Sequence, residues 1–231
     1  MLVYNLLCPE ESRNLATKLA ASRWIRPYLQ DIQGHHRETY EHMLRVAELT
    51  IDLAFQYCLP YEAFEILGNA ALLHDFGKKR IEHSLLSKNG PLTPEEYQKI
   101  RQHVRLGFIA ISSEKFVDAR RVFIAHHEFK TDSYPRSGTE RRKTIRFPAK
   151  NRRKQDDGGI MQLAQILAAA DIFDALIFRR SYKGQFDRFK VQDIMERDFT
   201  GNRLLVHQLL ERYPVQVSLT FNLPDLKSSA G

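Results

Sequence analysis

With 231 residues, 43% of them apolar, the chain is long enough to bury one large core, and it has no run of 18 apolar residues to cross a bilayer. The start, MLVYNLLCPEES, lacks a basic region and a small-residue cleavage site, and Cys8 and Cys58 have no metal or redox spacing; both features point to a cytoplasmic protein with reduced cysteines. The net charge of +7 is local: Arg136–Gln155 holds nine Lys or Arg and one acid, so the rest of the chain is near neutral.

In chain order, residues 1–34 read as a short N-terminal helical segment. From about Arg37 to Gln56, Met43, Leu44, Ala47, Ile51, Ala54 and Phe55 recur at three- and four-residue spacing and form one apolar stripe. After Pro60, Phe64, Leu67, Ala71 and Leu72 do the same over 61–76, and Gly77 suits a helix end. Residues 80–92, with Gly90-Pro91, read as a loop. Thr93-Pro94-Glu95-Glu96 predicts a capping box that opens a helix running to about Ser112. Further helices are expected near 115–127, 160–178 and 200–212. Residues 132–159 break the helical pattern with Pro135, Gly138, Pro148, Gly158, Gly159 and the basic cluster. Residues 215–223, VQVSLTFNL, alternate apolar and polar and predict a strand, with 144–147 or 2–4 as candidate partners. The last five residues read as a disordered tail. The fold class is therefore all-α: a helical bundle with a small C-terminal strand or hairpin (214–231) and a basic loop insertion (136–159).

Five of the nine histidines fall in one ordered series with acidic partners: Glu38, His42, His74-Asp75, Lys78, His103, His126-His127 and Asp171. Imidazole and carboxylate without thiolate suit borderline and hard divalent cations. Glu38 and His42, four apart, share one helix face. His74 and Asp75 diverge by about 100° around a helix, which suits an aspartate that bridges two ions while the histidine binds one. Lys78 follows His74 by four residues; a last turn that continues that far puts its ammonium on the His74 side, within reach of a phosphate oxygen. Asp171 sits among alanines in LAAADIFDAL, where a carboxylate is costly to bury without a partner or a metal. His35, His36, His83 and His207 show no evident partners and read as surface or structural residues.

The stretches ETYEHMLRVAELTIDLA, LLHDFGK, LLSKNGPLTPEEYQKIRQHVRLG, IAHHE and QILAAADIFDALIFRRSYK, in that order over residues 38–183, resemble the HD superfamily of metal-dependent phosphohydrolases. The likeness is greatest to the HD-GYP domains that act on cyclic dinucleotides. It implies an HD-domain helical bundle over 35–213 and a phosphodiesterase, with cyclic di-GMP as the default substrate. It also implies two or three divalent ions, iron or manganese, on His42, His74, Asp75, His103, His126, His127 and Asp171, with Glu38 at the place of a third-ion ligand. By the same likeness Asp75 and Lys78 are catalytic, and Lys78, Tyr134, Arg180 and Lys183 contact substrate. The chain departs from the family at HHEFKTDSYP: Tyr134-Pro135 remain, Ser133 replaces a glycine, and the loop is one residue shorter. Serine resists backbone angles that glycine accepts, so the departure bears on substrate choice more than on metal binding. Two other functions stay open: hydrolysis of another nucleotide or phosphate ester, and a non-catalytic nucleotide- or protein-binding receptor. The basic segment 136–155 is either a solvated loop or a clamp for an anionic or protein partner; its one aromatic, Phe147, argues against single-strand binding.

Overall fold

The computed structural model describes residues 9–57, 59–134, 157–178 and 186–213. Cys8, Cys58, most of the basic insertion, Arg180, Lys183 and the expected strand at 215–223 lie outside the described residues.

Helices α1 (Pro9–Ala20) and α2 (Arg26–His35) form the N-terminal segment. Both pack on α3 (Arg37–Gln56), and Ala16, Ala20, Ile25, Leu29 and Ile32 join the same core as the rest of the bundle. Only His36 separates α2 from α3. It is extended, and its Nδ1 accepts the Thr39 amide at 3.1 Å, so it caps α3 where no Ser, Thr, Asp or Asn is present. The apolar stripe read over 37–56 is buried as expected, save Phe55, which is half-buried against Phe64. The next helix, α4 (Tyr61–Leu73), stops three residues before the expected end. The chain then tightens into a 3-10 turn over Phe76–Arg80, and the one-turn α5 (His83–Leu86) follows.

The single helix expected from Thr93 to Ser112 is two helices, α6 (Pro94–Arg101) and α7 (His103–Ala110). The capping box is present in both directions: the Glu96 amide donates to Thr93 Oγ1 at 3.3 Å, and the Thr93 amide to Glu96 Oε2 at 2.8 Å. The break at Gln102 has a tertiary cause. Helix α7 packs backbone to backbone on the 3-10 turn, Gly107 against Gly77, and that contact redirects the chain. His103 therefore opens a helix instead of lying inside one.

Helix α8 (Val117–Ala125) ends in a 3-10 turn over His126–Phe129. Helix α9 (Asp157–Ile177) contacts α3, α4 and α8. It is apolar on all sides, with Leu167, Ala168, Ala169 and Ala170 fully buried, as a central helix requires. Its stretch Gly159–Ile177 also has the length and composition of a membrane span, but most of that stretch is buried inside the bundle. Two more helices, α10 (Arg188–Asp198) and α11 (Arg203–Arg212), pack on α9. Among the described residues the one β contact is an isolated antiparallel bridge between Lys130 and Phe199.

A buried carboxylate fastens the first and last described helices, α1 and α11, to α3. Asp52 is fully buried, accepts from Ser12 Oγ (3.3 Å) and Gln56 Nε2 (3.1 Å), and pairs with Arg212 Nε at 2.5 Å. Ser12 belongs to α1 and Arg212 to the end of α11, so one side chain joins three helices. Removing one partner of a buried pair leaves the other charge uncompensated. Asp52→Ala is therefore expected to cost about 3–5 kcal/mol of stability. Asp52 lies ten residues from His42, about 15 Å along α3, so divalent-ion binding should be unchanged. Denaturant titration and metal binding of the same variant check this; a loss under about 1 kcal/mol would refute the fastening role.

Candidate metal centre

Six imidazoles and carboxylates from four places in the chain meet in two groups. His42 from α3, and His74 and Asp75 from the end of α4, place one potential ligand atom each within 4.8 Å of one another; His103, His126 and His127 do the same. Asp75 spans the two groups: its Oδ2 lies 3.6 Å from the Nε2 atoms of His42 and His74, and its Oδ1 lies 3.2 Å from His103 Nε2. Asp171 spans them too. Its Oδ1 is 3.2 Å from His42 Nε2, and its Oδ2 is 3.9 Å from His127 Nδ1. The sequence gives Asp75 a bridging geometry; the structure gives one to Asp171 as well.

Three of the histidines are oriented by one local device. His74 Nδ1 donates to the Ala71 carbonyl (2.7 Å), His103 Nδ1 to Ile100 (2.7 Å), and His126 Nδ1 to Phe123. In each case the acceptor is the carbonyl three residues earlier, freed at or near a helix end. A carbonyl can only accept, so each Nδ1 carries the proton and each Nε2 points inward with its lone pair unprotonated. This explains why His74 and His126 cap helices and why the break before His103 matters.

His42 is held differently, by a residue that the sequence reading passed over. Asp174, one turn after Asp171 on α9, is buried and accepts from His42 Nδ1 at 2.6 Å. Arg45 grips the same carboxylate with Nε at 2.8 Å and Nη2 at 3.1 Å, and stacks over the Phe178 ring at 4.1 Å. A carboxylate behind a histidine ligand fixes its ring and raises its basicity. The signal in the sequence was the i, i+3 spacing of Asp171 and Asp174.

These residues fit divalent cations. His103 Nε2, His126 Nε2 and His127 Nδ1 are buried and lack hydrogen-bond partners, which is costly unless a cation takes their lone pairs. The protonation pattern agrees. Burial, outweighing the Asp75 carboxylate, holds His103 down to about 4, and burial with His74 alongside holds His126 down to about 3. Burial, then His126, lowers His127. These imidazoles are neutral at neutral pH and ready to ligate. Burial pushes the Asp75 and Asp171 carboxyls up, but the cations around them win and both sit well below the usual carboxylate range: Lys78 first for Asp75, Lys130 first for Asp171.

His42 is the exception. Burial lowers it, but hydrogen bonds to Asp171 and Asp174 outweigh burial and raise it to about 9. Its Nε2 also faces the lone pair of His74 Nε2 at 3.3 Å, so both ring nitrogens act as donors. A cation that takes His42 must displace a proton. Between pH 6 and 8 we expect loading of chelator-treated protein to release about one proton per chain, with affinity rising about tenfold per pH unit. The sign follows from a raised value: the protonated form persists up to about 9, so competition weakens as pH rises. Calorimetry in buffers of different ionisation enthalpy measures the release; none would exclude His42 as a ligand.

The remaining expected site residues are placed as follows. Glu38 is exposed on α3 and belongs to neither group. Lys78 is buried in the 3-10 turn with its ammonium on Asp75 Oδ2. Tyr134 stacks on His127 with ring centroids 4.3 Å apart, and Arg101 lies over its ring at 4.6 Å. Arg180 and Lys183 lie outside the described residues. Lys130, absent from the sequence-based set, pairs with Asp171 Oδ2 at 3.0 Å. His35, His36 and His83 gather around the α2–α3 junction, the ring centroids of His35 and His36 lying 6.3 and 5.5 Å from that of His83, outside the two groups.

An all-helical bundle that gathers histidines and aspartates in this way defines a class of protein with a buried histidine–aspartate metal centre. The HD domain model matches residues 39–176, and the chain belongs to that family. It is similar to 3′3′-cGAMP-specific phosphodiesterase 2 of Vibrio cholerae, at 29% identity over 96% of this chain and 41% of that protein. A cyclic di-GMP phosphodiesterase of the same organism is 32% identical over 71% of this chain and 33% of its own length. A cyclic di-GMP phosphodiesterase of Thermotoga maritima is 33% identical over 63% of this chain and 36% of its own length. The chain thus spans well under half the length of these relatives.

Proposed function

We propose that the protein is a metal-dependent phosphodiesterase that hydrolyses a cyclic dinucleotide, with cyclic di-GMP as the leading substrate. The observation that carries this reading is the pair of ligand groups joined by Asp75 and Asp171, in a chain whose relatives are named for hydrolysis of cyclic dinucleotides. His42, His74, His103, His126, His127 and the two aspartates would hold two divalent ions, iron or manganese by the likeness to the HD-GYP domains, a choice with which the imidazole and carboxylate donors agree. Glu38, one turn before His42 on α3, would serve a third. Bound there, the ions lower the pKa of a water and neutralise charge on the phosphoryl group.

The chain's own residues do the rest. The three backbone-anchored imidazoles and the Arg45–Asp174–His42 chain fix the donor atoms before any ligand arrives, so little reorganisation is left for the reaction. Lys78, held at Asp75, presents positive charge at the reacting phosphate. Tyr134, stacked on His127, would contact the substrate beside that group. Arg180 and Lys183 would grip the phosphates. The basic segment 136–155 would hold an anionic or protein partner, and the setting would be cytoplasmic.

A second reading, 3′3′-cGAMP as the preferred substrate, is favoured by the relatives that bear that name. The test is a turnover panel of cyclic di-GMP, 3′3′-cGAMP and cyclic di-AMP with Mn²⁺ or, anaerobically, Fe²⁺. Linear dinucleotide or mononucleotide product supports the proposal, and the fastest substrate separates the two readings. No product from any of them would overturn both.

A further inference from the structure

Of the two lysines that the described residues place at this centre, Lys130 is the one with room to move. Its backbone is pinned independently of its side chain: Lys130 bridges Phe199, the Thr131 amide donates to the Asp198 carbonyl (2.9 Å), and the Thr200 amide to the Phe129 carbonyl (2.9 Å). From this fixed point the side chain turns inward and sets Nζ 3.0 Å from Asp171 Oδ2, while staying 27% exposed. Lys78, at 9%, is shut in beside Asp75.

The oxygen that Lys130 holds is also the one that faces His127 Nδ1, 3.9 Å away. A divalent ion taken by His103, His126 and His127 would draw on that same oxygen. An ammonium and a dication cannot share it cheaply, because like charges a few ångströms apart in a partly buried site repel strongly. The lysine has a flexible four-carbon stem and an open side, so it can leave Asp171 for the mouth of the site. There an arriving phosphate carries the opposite charge.

We propose that Lys130 is an exchange cation: it competes with a metal ion for Asp171 Oδ2 and, once displaced, binds a non-bridging oxygen of the substrate phosphate. The substrate half of this proposal rests on the phosphodiesterase reading; the competition half rests on the geometry alone. The two halves give opposite signs in one variant. Removing the charge should tighten metal binding and weaken substrate binding, whereas a purely structural lysine would weaken both when removed.

The experiment compares wild type, Lys130→Gln and Lys130→Arg. Mn²⁺ affinity is measured calorimetrically on chelator-treated protein, and KM and kcat on whichever cyclic dinucleotide the wild type hydrolyses fastest. The glutamine variant is expected to bind Mn²⁺ about tenfold tighter. Its KM is expected to rise about tenfold, with kcat within about threefold of wild type. Arginine should keep both values near wild type, and thermal melts should show all three proteins folded. Equal or weaker Mn²⁺ binding by Lys130→Gln would overturn the competition, and an unchanged KM would overturn the substrate contact. A wild type inactive on every cyclic dinucleotide would overturn the phosphodiesterase reading and the substrate contact together, while the Mn²⁺ affinities would still decide the competition.

Discussion

Asp75→Ala is expected to abolish turnover, by about a thousandfold or more, while leaving the helices in place. Asp75 and Asp171 are the carboxylates that reach both ligand groups, and Asp75 alone touches His103. Its loss removes a donor from each group at once, so the metal content of the purified variant should fall with the rate. The fold should survive, because α3, α4, α8 and α9 are held by apolar faces that do not involve Asp75. Helical circular dichroism should match wild type. The melting temperature should drop modestly, since the buried Lys78 ammonium loses one of its partners. Asp75→Asn separates charge from shape: it keeps the side-chain volume and should lose activity almost as fully. Either variant turning over substrate at near wild-type rate would refute the role of Asp75.

Much of this was legible in the sequence where local chemistry decides. The apolar stripe gave α3 its extent, because burial follows helical periodicity and nothing interrupts it. The Thr93–Glu96 box gave the start of α6, because its two bonds depend on residues three apart. The candidate histidines were legible because they recur with acidic partners in one order along the chain, His42, His74-Asp75, His103, His126-His127 and Asp171. What the sequence hid was decided by contacts between distant segments. Nothing local between Pro94 and Ala110 foretells the break at Gln102; it follows from Gly107 meeting Gly77. Helix α10 was missed because only Val191, Ile194 and Met195 face the core while Phe189 is 80% exposed, so its stripe is thin. Its clearest local signal was Asp187, which caps it by accepting from the Lys190 amide at 2.8 Å.

The same division runs through the centre. Residues that would bind a cation declare themselves by type, but the residues that aim them do not. Arg45 and Asp174 are common surface types, and here both are turned inward by the close packing that the alanines of α9 permit. Lys130 lies one residue beyond the His126–Phe129 turn and reads as an ordinary loop lysine until the Phe199 bridge fixes its backbone. His36 looked solitary in the sequence, yet its ring supplies the N-cap of the helix that carries His42.

Gly77→Ala should be nearly as damaging as loss of a ligand, although Gly77 binds nothing. A Cβ at Gly77 would fall 1.8 Å from the His103 carbonyl oxygen and 2.5 Å from the Gly107 nitrogen. Both obstacles are backbone, so no rotamer change relieves them, and α7 must move away from the 3-10 turn. His103 opens α7, so its ring moves with the helix and leaves Asp75 Oδ1. A displacement of about 1 Å at a reacting centre costs on the order of a hundredfold in rate. The overpacking itself should cost about 3 kcal/mol of stability. Gly34→Ala is the matched control: it lies in α2 with nothing within 4 Å of the added carbon, and should be neutral or slightly stabilising. Melting curves, Mn²⁺ binding and turnover of the two variants read out the contrast. A Gly77→Ala protein with wild-type melting temperature and metal affinity would show that His103 is not placed by the contact between Gly77 and α7.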